Sequence, residues 1–86
     1  MNGSDITREI RNFILENYLF TDDDTALDNT TSFLETGLLD STGMMELVMF
    51  IEETFDLSVA DDELLPENLD SVNNAIAFIS SKLKAA

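Results

Sequence analysis

The chain has 86 residues, 44% of them hydrophobic, and a formal net charge of −14 at pH 7. That is enough apolar material for one modest core, so residues 1–86 are expected to form a single domain. The sequence contains neither Cys nor His, which excludes a disulfide framework, a thiolate metal site and a Ser-His-Asp catalytic arrangement. Any chemistry must come from an attached group or from a partner.

The charge is unevenly placed. The four bases are Arg8, Arg11, Lys82 and Lys84, and sixteen of the eighteen acids lie between Asn12 and Ser81 with no base among them. Such a field repels nucleic acid and anionic membranes and steers cationic protein surfaces toward the middle of the chain; a surface that is simply solubilising would look the same in composition. No stretch approaches the roughly 18 apolar residues of a membrane span, and the first residues lack a basic signal-peptide region, so the expected location is the cytoplasm.

Along the chain, Ile6, Ile10, Phe13, Ile14 and Tyr18 recur at helical spacing. They predict a first amphipathic helix that ends near Leu19 or Phe20, with Ser4 or Asp5 as its cap. A long connection follows from Thr21 to Leu39. Asp22, Asp23 and Asp24 open like a calcium loop, but Ala26 and Leu27 stand where the next ligand and the turn glycine belong, so that reading fails. Asn29-Thr30-Thr31 has the form of a glycosylation sequon, read as coincidence without a secretory signal. A connection this long should hold structure of its own. Leu27, Phe33, Leu34 and Leu38 are its expected pegs into the core, and Ser32 with Glu35 forms a capping box for a single helical turn closed by Gly37.

The most regular apolar pattern follows Gly37-Leu38-Leu39-Asp40-Ser41. Met44, Leu47, Val48, Ile51 and Phe55 gather into one inward stripe of a helix running from about Ser41 to Phe55. Thr42, Met45, Glu46, Met49 and Glu53 then fall on the outer face, a soft thioether patch with an acidic rim suited to several partners in turn; two ordinary, partly buried methionines are the plainer alternative. Ser41 has two readings as well. Its hydroxyl can cap the helix, or it can be presented for chemistry, with Gly43 leaving room beside it.

After Asp56-Leu57-Ser58-Val59 the chain turns polar. Leu64-Leu65-Pro66 introduces a short helix near Pro66 to Leu69. Asp70 is the expected cap of the last helix, whose stripe is Val72, Ala75, Ile76, Ile79 and Leu83, with Lys82 and Lys84 at its negative end. The predicted fold is all-α: a small helical bundle of three main helices plus one short helix, with a long loop between the first and second helices.

Gly37-Leu38-Leu39-Asp40-Ser41, followed by Glu46-Leu47-Val48 and Phe50-Ile51-Glu52-Glu53-Thr54-Phe55, resembles the acyl carrier protein family, and the similarity covers nearly the whole chain. The resemblance implies a carrier rather than an enzyme. Its cofactor would be 4′-phosphopantetheine, taken from coenzyme A and attached to Ser41 as a phosphodiester, with acyl or aminoacyl groups held as thioesters on the arm. It also implies that Asp40 helps a phosphopantetheinyl transferase present Ser41. Thr42, Met45, Glu46, Met49, Glu52 and Glu53 would form the face read by basic docking surfaces of that transferase, of acyl or aminoacyl ligases and of acyl-transferring enzymes, the carrier being a monomer. Thr42-Gly43, where fatty-acid carriers have Leu and an acid, is similar to stand-alone aminoacyl or D-alanyl carriers loaded by adenylate-forming ligases. A small polar cargo predicts little ligand cavity; a long acyl chain predicts loosening around Phe50, Val59 and Leu64. The rival from another class is an unmodified acidic protein-interaction module.

Overall fold

The computed structural model describes residues 3–85. Three long helices make the frame, α1 (Gly3–Ile14), α3 (Ser41–Phe55) and α5 (Val72–Ala85), with two single-turn helices, α2 (Phe33–Thr36) and α4 (Pro66–Leu69), in the connections. There is no strand among the described residues. The bundle measures 33 × 25 × 20 Å, with α1 packed on α5 and α4 lying against α5.

The stripes read from the sequence build the core. Ile6, Ile10 and Ile14 from α1, Leu47, Val48 and Ile51 from α3, and Val72, Ala75 and Ile79 from α5 are buried together, each large side chain contributing roughly 1.5–3 kcal/mol by leaving water. Phe78 joins them although it lies off the predicted stripe. Helix α1 is already under way at Gly3, so Asp5 sits in its first turn, ion-paired with Arg8, rather than at a cap; the side chain of Ser4 lies outside what the structure describes. Past Ile14 the helix widens into a π turn, Leu15–Leu19. Phe20 ends it in the left-handed region at φ 54°, its N–H donating to the carbonyl of Leu15.

The long connection is pinned at several points. Asp23 caps a 3-10 turn, Asp24–Ala26, accepting the Thr25 N–H at 3.0 Å, and the Thr25 hydroxyl bond holds its carboxyl below the ordinary range. Arg11 reaches across from α1 to Asp24 at 2.9 Å and to the side-chain oxygen of Asn29. These acids thus serve caps and a clamp. Ser32 caps α2 by accepting the Glu35 N–H at 3.1 Å, and Gly37 closes it at φ 74°, where only glycine is unstrained. Of the expected pegs, Leu27 and Phe33 are buried and Leu38 is half-buried, but Leu34 is 43% exposed; Leu39, which was not among them, is buried.

The cap assigned to the last helix is also corrected. Ser71, 6% exposed, accepts the Asn74 N–H at 3.1 Å and so caps α5. Asp70 turns the other way, accepting the Leu34 N–H at 2.8 Å and the Ser32 hydroxyl, while its carbonyl accepts the Phe33 N–H. One carboxylate therefore ties the connection before α3 to the turn before α5.

Candidate functional site

Asp40 and Ser41 lie at the mouth of α3, and the backbone decides between the two readings of the serine. Asp40 is extended, at φ −94° and ψ −170°, and its carboxylate accepts the Gly43 N–H at 2.8 Å. The cap is Asp40, not Ser41. Ser41 becomes the first helical residue, exposed, and its hydroxyl has no intramolecular partner among the described residues. Its oxygen stands where unpaired N–H groups and the positive end of a 15-residue helix favour an anion.

Gly43 does something other than leave room beside the serine. It is buried, and a Cβ there would meet Leu39 Cδ2 at 3.3 Å and Tyr18 Cε1 at 3.4 Å. The close approach that excludes a side chain is the core's own: the π turn carries Tyr18 inward against the first turn of α3. The Tyr18 hydroxyl is shut off from solvent, with the Glu46 carboxylate as its polar neighbour. Burial, then the charge of Glu46 and its hydrogen-bonding carboxylate, then the charge of Asp40, push the phenol above its ordinary value.

The outer face of α3 is as the stripe predicts. Met45 and Met49 are 48% and 57% exposed, and Thr42, Glu46 and Glu53 are exposed with them. Glu52 is placed differently. It is half-buried, and its carboxylate accepts the Val59 N–H at 2.9 Å, bracing the turn after α3. The spacing of acids alone could not separate it from Glu46 and Glu53.

Beside Ser41 runs an apolar cleft of about 340 Å³, open on one side. Ser41, Met44, Met45 and Val48 supply one wall; Leu64, Leu65, Pro66 and Leu69 face them, with Leu34. This is why Leu34 and Leu65 stay exposed. Of the facing wall, sequence reasoning connected only Leu64 with a cargo. Phe50 instead stacks on Phe13 at 4.4 Å on another side of α3, and Val59 is held by Glu52.

A helical bundle that offers an unbonded hydroxyl on the first residue of a helix, next to an apolar cleft and an anionic helix face, is built to carry a group rather than to transform one. The donor set fits a phosphodiester: helical N–H groups and the positive end of α3 face the position it would take. Residues 15–79 match the phosphopantetheine attachment site family. The chain is 33% identical over 82 residues to an acyl carrier protein of Phenylobacterium zucineum, covering 95% of this chain and 99% of that one. It is 34% identical over 79 residues to one of Caulobacter vibrioides (92% and 96%), and 39% identical over 56 residues to one of Buchnera aphidicola (65% and 68%). The chain belongs to the acyl carrier protein family, whose members bear a covalent 4′-phosphopantetheine and are not themselves enzymes. Among the described residues no helix is long and apolar enough to cross a membrane.

Proposed function

We propose that Ser41 is the residue that bears phosphopantetheine and that the protein carries acyl groups on it to partner enzymes. The arm supplies a terminal thiol on which an acyl group rides as a thioester. Ser41 offers an exposed oxygen for the phosphodiester, and the first turn of α3 stabilises the anionic linkage. Asp40 fixes that turn through Gly43 and leaves its second carboxylate oxygen to a transferase. Thr42, Met45, Glu46, Met49 and Glu53 form the docking face, with Glu52 holding its C-terminal end in place. The basic surfaces of transferase, ligase and acyl-transferring enzymes meet that face in turn.

The observation that carries the reading is the cleft that begins at Ser41. Its walls are apolar side chains, which supports an acyl cargo over the small polar cargo of aminoacyl or D-alanyl carriers; a buried aliphatic chain gains roughly 0.8 kcal/mol per methylene. The relatives from Phenylobacterium zucineum and Caulobacter vibrioides, matched over 99% and 96% of their length, bear the name acyl carrier protein. Incubation with a promiscuous phosphopantetheinyl transferase and coenzyme A, read by intact mass, tests the attachment. A gain of one phosphopantetheine that disappears in Ser41→Ala is expected. No gain, or a gain that persists in that variant, leaves the acidic interaction module as the better account.

A further inference from the structure

Leu34 and Leu65 line the cleft beside Ser41 and stand 43% and 41% exposed. They come from different parts of the chain, the turn α2 and the lead-in to α4, and one residue joins those parts. That residue is Asp70, which closes α4. We propose that Asp70 is a positioning residue for the cargo: its carboxylate holds Leu34 in the cleft wall and so sets how far an apolar acyl chain bound there is shielded from water. The proposal rests on the carrier reading and goes beyond it, because it assigns the shielding to a group that does not itself line the cleft.

Helix α2 is a single turn of 4 residues, too short to persist on its own hydrogen bonds. Two of its first N–H groups are taken up by Asp70: that of Phe33 donates to the Asp70 carbonyl at 3.0 Å, and that of Leu34 to its carboxylate at 2.8 Å. The other carboxylate oxygen accepts the Ser32 hydroxyl, and Ser32 in turn accepts the Glu35 N–H at 3.1 Å. Asp70 is itself anchored to α4, its N–H donating to the carbonyl of Pro66 at 2.8 Å, with the buried Leu69 next to it in the chain. Pro66 and Leu69 line the cleft together with Leu34. One carboxylate therefore makes a single wall out of two turns that are far apart in sequence.

Burial decides what that clasp governs. Phe33 is fully buried and anchors the turn in the core by packing, with or without the carboxylate. Leu34 lacks such an anchor, and its place in the wall depends on its N–H more than on its side chain. The bond from Phe33 to the Asp70 carbonyl, and that from the Asn73 N–H to the Asn29 carbonyl at 3.0 Å, are main-chain bonds that do not use the side chain at position 70. Losing the carboxylate thus frees Leu34 selectively and leaves the rest of the connection tied down. An apolar chain in the cleft and an exposed leucine at its wall cover each other, and the gain grows with the area covered.

The test uses the full chain, first unmodified and then loaded. On the unmodified chain, amide hydrogen exchange at Leu34 should be about tenfold faster in Asp70→Ala than in the parent, beyond any change at the core residue Ile79. Asp70→Asn should restore the parent rate, because its oxygen can still accept from Leu34 and its amide can donate to Ser32. Acetyl or octanoyl phosphopantetheine is then attached by a promiscuous transferase, and thioester cleavage by hydroxylamine is followed by intact mass. The octanoyl form should be cleaved more slowly than the acetyl form in the parent. Asp70→Ala should speed octanoyl cleavage about four- to fifteenfold, the factor for returning one or two methylenes to water, and leave acetyl cleavage unchanged. Leu34→Ala should do the same, and the double variant should add nothing to either single one, as required if Asp70 acts through Leu34. If Asp70→Ala fails to fold, Ser32→Ala, which cuts one arm of the clasp, must still speed octanoyl cleavage. An unchanged octanoyl rate, an equal gain for acetyl, or additive effects of the two substitutions overturn the proposal and leave the carrier. Failure of the parent to load overturns the carrier reading and the proposal with it.

Discussion

Removing the Asp40 carboxylate separates the two roles that one side chain holds at the mouth of α3. In Asp40→Ala the Gly43 N–H loses its acceptor at 2.8 Å, in a pocket already closed by Leu39 and Tyr18, so water has poor access to replace it. Loss of an Asp cap costs about 0.5–2 kcal/mol, and an enclosed donor puts the expected cost near the upper end, about 2 kcal/mol. For a domain of this size that lowers the melting temperature by roughly 8–16 °C. Asp40→Asn keeps an acceptor at the same place and loses only the favourable charge at the helix start, about 0.3–1 kcal/mol. The assay is thermal and urea unfolding of both variants beside the parent, with the urea midpoint falling and its slope unchanged, followed by transferase loading of each folded protein. Asp40→Asn should fold almost normally yet load more slowly, because the atom left to the transferase is then a neutral amide NH2, a donor, in place of a charged oxygen acceptor. If Asp40→Ala melts with the parent, or Asp40→Asn melts as low as Asp40→Ala, the capping argument is wrong.

Other consequences follow from single features. Phe20→Asn should raise the unfolding free energy by about 1 kcal/mol, measured by urea unfolding, because a phenyl-bearing residue at φ 54° pays the left-handed cost while its ring stays 80% exposed. Asp70→Ala should lower it by about 2–3 kcal/mol in the same assay, since the Leu34 N–H and the Ser32 hydroxyl lose their shared acceptor. Tyr18 is the only tyrosine in a chain without tryptophan, so phenolate absorbance reports it alone; its titration should be centred above 10.0, and Glu46→Gln should bring it down only in part, because burial is the larger cause. Folding favours the neutral phenol, so this contribution to stability is complete below the ordinary phenol value and is lost as pH rises through the folded one. A midpoint at or below the ordinary value contradicts the enclosure of the hydroxyl.

The helices were legible because their stripes obey a 3.6-residue period and the core must be filled; the exposed face of α3 followed as the complement of its stripe. Caps were less legible, for a physical reason that the chain displays twice. Asp-Ser occurs at Asp40-Ser41 and again at Asp70-Ser71, and either residue of such a pair can cap. At the first, the aspartate caps and the serine enters the helix exposed. At the second, the serine caps and is buried, while the aspartate crosses to Ser32 and Leu34. The difference lies in one residue of helix start, set by Gly43 packing on Leu39 and Tyr18 in one case and by the docking of α2 in the other. Neither constraint is local. The cleft was hidden for the same reason: Leu34 looks like a core peg, and Leu65 like the lead-in to a short helix, until tertiary packing leaves both exposed beside Ser41.

The same packing explains why the anionic field is concentrated where a partner can use it. Arg11 clamps the 3-10 turn after α1, and Lys82 bonds Glu63 at 2.7 Å, holding the second 3-10 turn, Asp61–Glu63, to α5 and drawing that carboxyl below its ordinary range. Both bases are committed to loops, and Arg8 to its own helix. The acids of α3 that face solvent, Glu46 and Glu53, are therefore paired with none of these three bases, whereas Glu52 accepts from the backbone of Val59. A base moved onto α3 would neutralise that face from within and compete with any docking cation. Met49→Lys places an ammonium one turn from both glutamates, at a position 57% exposed where the fold has little stake. It should leave the melting temperature within about 2–4 °C of the parent while slowing loading by a transferase more steeply at low salt than at high. A salt-independent loss would mean that the methionine acts through its thioether, and that the charge around it is incidental.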